Sequence, residues 1–163
     1  MQDHPSDQPS DQPSDHTPAA ASPHGPWPDS VHGPDAALDV QGVQDQTGCT
    51  LQDYQELGEV FMQECPNIMR RLQQAQQAVL QAEGHQALMA AAQLLRAAAH
   101  ELCTSFSIVG ARAAEAYARQ TQNQIKRSAS GEGPPQKAEA LLQALTVLQQ
   151  AVLHTQALLS RQP

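Results

Sequence analysis

From Thr50 onward, apolar residues recur at spacings of three and four, the period of helices that bury one face. The clearest run is Leu95, Ala99, Leu102, Phe106 and Val109, the buried stripe of a helix read from about Gln86 to Ile108. Ahead of it, Tyr54, Leu57, Val60 and Phe61 mark a first short helix. Thr50 caps it, with Asp53 three residues on as a capping-box analogue. Pro66 interrupts that pattern, so a second helix is expected to begin near it, to carry Ile68, Leu72, Ala75, Val79 and Leu80 inward, and to end at Gly84. Gly110 marks the next break. A fourth helix runs through Ala113, Ala114, Tyr117 and Ile125 to about Arg127, and residues 128–135, rich in Ser, Gly and Pro, form a loop. A last helix from about Gln136 carries Leu141, Leu142, Leu145, Leu148, Val152, Leu158 and Leu159. Short connections make neighbouring helices antiparallel. The expected fold is therefore all-α: an up-and-down four-helix bundle with a short preceding helix and a disordered N-terminal tail.

The tail changes the picture of charge. Residues 1–49 hold eight of the twelve prolines and eight aspartates, with no lysine, arginine or glutamate. Those aspartates match the formal net charge of −8 of the whole 163-residue chain, so residues 50–163 are balanced. A Pro-Ser-Asp-Gln repeat between Pro5 and Asp15 offers nothing apolar to a core. Composition thus predicts a disordered acidic tail over 1–49 ahead of a helical domain over 50–163. His4, His16, His24 and His32 lie among prolines and aspartates, a poor setting for preorganised metal coordination, so no metal or intrinsic cofactor is expected. Trp27, in Pro26-Trp27-Pro28, reads either as a short docking motif or as an ordinary tail residue.

Cys49, Cys65 and Cys103 are odd in number and lack Cys-x-x-Cys spacing, which fits reduced thiols in a cytoplasmic protein. The N-terminus has no basic stretch followed by an apolar run, and no apolar run approaches the roughly 20 residues of a spanning helix, so no membrane is expected. A neutral folded part behind an acidic tail is also a poor nucleic-acid binder.

His100 is the candidate for chemistry. At about 100° per residue it lies roughly 160° from Leu102, in a polar row with Arg96, Thr104 and Ser107. An exposed imidazole among short side chains is accessible to a partner, and in its neutral form it is a nucleophile. The plain alternative is a solvated surface histidine. His85 reads as part of a helix start, and His154 has no partner at metal-ligand spacing. Cys103 reads more simply as a helix-packing cysteine than as a reactive thiol. Hydrolysis would need a nucleophile, a base and an oxyanion site together, and no second motif accompanies His100.

The stretch Ala98–Ala111 resembles the phosphoacceptor segment of histidine-containing phosphotransfer (HPt) domains of bacterial two-component phosphorelays. The resemblance is carried by His100, Leu102, the small Ser105 and the ending Val109-Gly110-Ala111. Upstream, residues 61–69, Phe61 through Pro66 to Met69, are similar to the family's entry segment, and the likeness extends over roughly Thr50 to Ser160. Cys103 stands where the family has lysine and Thr104 where it has glycine, and Phe106 is larger than the expected small residue.

The resemblance implies a four-helix bundle and a signal-transduction role as a phosphorelay intermediate. His100 would accept a phosphoryl group from a receiver-domain aspartyl phosphate, hold it as phosphohistidine and pass it to another receiver. No autonomous kinase or hydrolase activity is implied. Receiver domains of response regulators or hybrid histidine kinases are the implied partners, with the divalent metal on the receiver. Arg96, one turn before His100 on the same face, is expected to supply the cation that Cys103 cannot. Thr104 either crowds the docked receiver or hydrogen-bonds the imidazole or phosphate. The alternative function is a degenerate HPt domain, a helical adaptor that binds a receiver or kinase without transfer.

Overall fold

The computed structural model describes residues 37–162. Five helices follow in order: α1 (Val40–Thr47), α2 (Leu51–Leu80), α3 (Gly84–Ile108), α4 (Arg112–Ala129) and α5 (Ala138–Leu159). No strand occurs among the described residues. Helices α2 to α5 form the expected bundle. Antiparallel order is visible in the cross-contacts. Tyr54 and Arg71 of α2 meet Val109 and Glu101 at and within α3, Cys103 and His100 of α3 meet Glu115 and Gln122 of α4, and Gln76 of α2 meets Gln149 of α5.

The core follows the periodicity, except that Leu80, expected inward, and Val60 are exposed. Leu95, Ala99, Leu102, Phe106 and Val109 are all fully buried, together with Leu72, Leu145, Leu148 and Val152. Many of the remaining core positions are alanines (Ala75, Ala91, Ala92, Ala98, Ala118, Ala151), whose small side chains let helix backbones approach closely. Larger groups fix the register at one end. Phe61 and Phe106 pack with ring centroids 6.1 Å apart, and the buried Tyr54 hydroxyl donates to the Val109 carbonyl at 2.9 Å.

Two boundaries differ from expectation. Pro66 does not divide two helices; it lies inside α2, a single 30-residue helix about 45 Å long. Proline removes one intrahelical hydrogen bond and costs about 3 kcal/mol in a helix interior. Pro66 is exposed, however, and Tyr54, Gly58, Phe61, Cys65, Ile68, Leu72, Ala75 and Val79 form one continuous buried face across it. Burying that face outweighs the local penalty. Thr50 does begin α2, with the complete reciprocal capping box: the Asp53 amide donates to the Thr50 hydroxyl at 3.2 Å and the Thr50 amide to the Asp53 carboxylate at 2.8 Å. Gly84, expected to end a helix, instead opens α3.

The short helix expected over Thr50 to Phe61 is thus the first part of α2, and the helix that does precede the bundle, α1, was not expected: it lies within residues 1–49, which composition alone assigned to a disordered tail, yet Val40–Thr47 are helical. Asp39 caps α1 by accepting from the Gly42 amide at 2.9 Å, and Val43 is its one buried residue. The repeat, the four histidines of the tail and Trp27 fall outside the described residues.

The turn between α3 and α4 shapes everything near His100. Gly110 sits at φ +72°, with the Ala111 amide donating back to the Phe106 carbonyl at 2.9 Å and the Gly110 amide to that of Ser107 at 3.2 Å. This is a Schellman ending, which a left-handed glycine permits. α1 docks on the same turn through the Asp39 amide, which donates to the Gly110 carbonyl at 2.9 Å. Arg112, the first residue of α4, then reaches back to the Asp39 carboxylate at 3.3 Å and to the Gln46 side chain at 3.1 Å.

Candidate functional site: a histidine in the α3–α4 groove

His100 projects from the middle of α3, on the side opposite the buried stripe, and is exposed. It lines a shallow hollow of about 620 Å³ with Cys103, Thr104, Ser107 and Ile108 of α3 and Glu115, Arg119, Gln122 and Asn123 of α4. Four of the five residues singled out from sequence, His100, Cys103, Thr104 and Ser107, therefore share one surface. The fifth, Arg96, is not part of that lining: its guanidinium donates to the Gln93 side chain at 3.2 Å, one turn further toward the N-terminus of α3.

The α4 wall supplies what the sequence reading of α3 lacked. Gln122 Nε2 stands 3.1 Å from His100 Nδ1. An amide N–H donating to Nδ1 leaves the ring proton on Nε2. A half-turn of the same amide presents Oε1, which accepts from Nδ1–H and frees the Nε2 lone pair. Gln122 thus engages one ring nitrogen and leaves the other for a partner. Arg119 brings the cation. It is 62% exposed and held by Glu115 Oε1 at 2.6 Å, while the other oxygen of Glu115 accepts from Arg112 at 3.3 Å.

Cys103 is half-buried, its sulfur 3.9 Å from the Glu115 carbonyl. Burial pushes its thiol above the ordinary range; Arg119 acts in the opposite sense, and Glu115 adds to the rise. The thiol is consequently protonated at neutral pH and a weak nucleophile. Thr104 is exposed on the wall of the hollow, and the hydrogen bond to Nδ1 comes from Gln122. His85 lies exposed at the second position of α3, and His154 is half-buried in α5. No group of His, Cys, Asp and Glu among the described residues is placed to hold a metal ion, and no helix among them is long and apolar enough to cross a membrane.

Arg119, Gln122 and Asn123 were not singled out from the sequence, although a signal for them exists. Two antiparallel helices joined at Gly110 pair residues by reflection about that glycine, and reflection carries His100 to about position 120. Compared with known proteins, the chain matches no protein-family model, no curated protein and no solved structure.

Proposed function

We propose that the protein is a phosphorelay intermediate in which His100 accepts a phosphoryl group from the aspartyl phosphate of a receiver domain and passes it to the aspartate of another. The observation that carries this reading is an exposed His100 ring, engaged at Nδ1 by Gln122, in a hollow that also holds Arg119.

The chemistry follows from that arrangement. With Gln122 Oε1 accepting from Nδ1–H, the Nε2 lone pair attacks phosphorus in line with the bond to the aspartyl oxygen. The N–P bond forms, the P–O bond breaks and the aspartate leaves as carboxylate. The ring becomes a cation on attack, and the amide oxygen at Nδ1–H stabilises it. Arg119, long and largely exposed, supplies positive charge for the phosphoryl oxygens, the task expected of Arg96. The bundle positions these groups, while the receiver brings its own metal ion. Reversal of the same steps delivers the phosphoryl group to a second receiver.

The test is incubation of the protein with a phosphorylated receiver domain, comparing wild type with His100→Gln. Label that appears on the wild type only, is lost in acid and survives base identifies phosphohistidine. Binding of receivers without label in either protein would overturn relay chemistry and leave the adaptor reading, with Cys103 and Thr104 as marks of lost transfer.

A further inference from the structure

α4 is the one strongly basic helix of the bundle. It carries Arg112, Arg119, Lys126 and Arg127 against Glu115, four of the nine lysines and arginines of the chain on 18 residues. At about 100° per residue all four fall within roughly a third of the helix circumference. Its opposite face, Ala114, Ala118, Thr121 and Ile125, is buried against the bundle. The basic face is solvent-exposed beyond α1's contact at Arg112: Arg119, Lys126 and Arg127 are all exposed, and Arg112, Arg119, Asn123 and Arg127 border one continuous surface depression along the helix.

One acidic segment is already seated at the start of this face. Asp39 pairs with Arg112, and the backbone of Asp39 is fixed on the turn before α4. N-terminal to it, residues 1–36 contain six aspartates and no lysine, arginine or glutamate. The geometry is compatible with continued pairing. With a rise of about 1.5 Å per residue, Arg119 stands about 10 Å beyond Arg112, and Arg127 about 22 Å beyond it. An extended chain covers about 3.3 Å per residue, so Asp35 reaches about 13 Å from Asp39, and Asp29 about 33 Å.

We infer that the outer face of α4 is a docking surface for an acidic peptide and that its occupant is this chain's own N-terminal segment, residues 1–36, binding in cis. Charge complementarity, the Asp39–Arg112 contact that begins the interface and the reach of the chain all favour it over a separate molecule. Tethering also supplies a high effective concentration. Glu115, Arg119 and Asn123 border both this surface and the hollow of His100, so the two adjoin. The docking does not rest on the relay reading.

The experiment is amide-resolved NMR of the full chain, wild type against the double variant Asp29→Asn, Asp35→Asn. Spectra are taken at low salt and at about 300 mM, where the screening length falls to roughly 6 Å. At low salt the amides of Arg119, Lys126 and Arg127 are expected to shift between the two proteins, the difference to vanish at high salt, and neither to change on tenfold dilution. The reciprocal variant Arg119→Gln, Lys126→Gln is expected to move the amides around Asp29 and Asp35. Coincident α4 amides in wild type and variant would overturn the proposal. Shifts that fade on dilution would overturn it as well, by assigning the face to a second copy. No phosphoryl transfer enters the measurement, so its failure and that of the relay are separate results.

Discussion

Replacing Gly110 by alanine tests whether α1 is clamped on the α3–α4 turn. Gly110 holds φ +72°, and a Cβ there stands 2.7 Å from the Asp39 carbonyl oxygen. Gly131, in the α4–α5 loop, holds nearly the same φ, +75°, with nothing within 4 Å of a Cβ. Both substitutions carry the left-handed penalty of about 1–2 kcal/mol, but only Gly110→Ala also strikes the entry to α1. The collision is relieved by shifting the turn or by releasing α1, whichever is cheaper. Release gives up the burial of Val43, roughly 1.5–3 kcal/mol, and the Asp39 amide hydrogen bond, about 1 kcal/mol. It returns backbone entropy to the freed residues. The excess of Gly110→Ala over Gly131→Ala is thereby held to about 2 kcal/mol. Urea unfolding followed by circular dichroism is expected to give a loss of about 3–4 kcal/mol for Gly110→Ala against about 1–2 for Gly131→Ala. Amide exchange in α1 should rise in the first variant only. Equal losses would refute the clamp, because the left-handed backbone alone would then account for both.

Three other perturbations follow from the same contacts. Pro66→Ala should raise stability by about 2–3 kcal/mol in urea unfolding, since the ring sits exposed inside α2; a gain below about 0.5 would show that the bundle is built around the bend proline imposes. The Asp53 carboxyl should titrate below its usual value near 3.8, because the Thr50 amide and hydroxyl hydrogen-bond its charged form. With the folded value the lower one, the cap's contribution is complete above the unfolded value and is lost as pH falls through the folded one. A carboxyl carbon titration by NMR with an ordinary midpoint would contradict the box. Arg119→Gln should slow phosphoryl transfer to His100 about tenfold while Arg96→Ala leaves it within about twofold, and the reverse order in a single-turnover assay would restore Arg96 to the role first expected of it.

The parts of the fold legible in the sequence are those in which one helix face alone determines the outcome. The α3 stripe needs no neighbour to be recognised, and every one of its five residues is buried. Pro66 misleads because its penalty is local and visible, whereas the compensation, a face that stays buried on both sides of it, belongs to the bundle. α1 is hidden for a related reason. Its eight residues carry one buried side chain, and its anchors are Gly110 and Arg112, some 70 residues away in sequence. Half of the site was hidden in the same way: Arg119, Gln122 and Asn123 look like the solvated face of any polar helix until α4 is folded back on α3.

Gly110 is where these strands of the structure meet. Its left-handed conformation closes α3 and starts α4 two residues later, which fixes the register that brings Gln122 opposite His100. Its lack of a side chain admits the Asp39 backbone, and Asp39 in turn holds Arg112. Arg112 shares Glu115 with Arg119, so the carboxylate that restrains the cation beside His100 is itself bound to a residue gripped by α1. The Val109-Gly110-Ala111 ending therefore has a physical reason independent of any resemblance. One glycine sets the helix register at the histidine and links the start of the bundle to the charge around it.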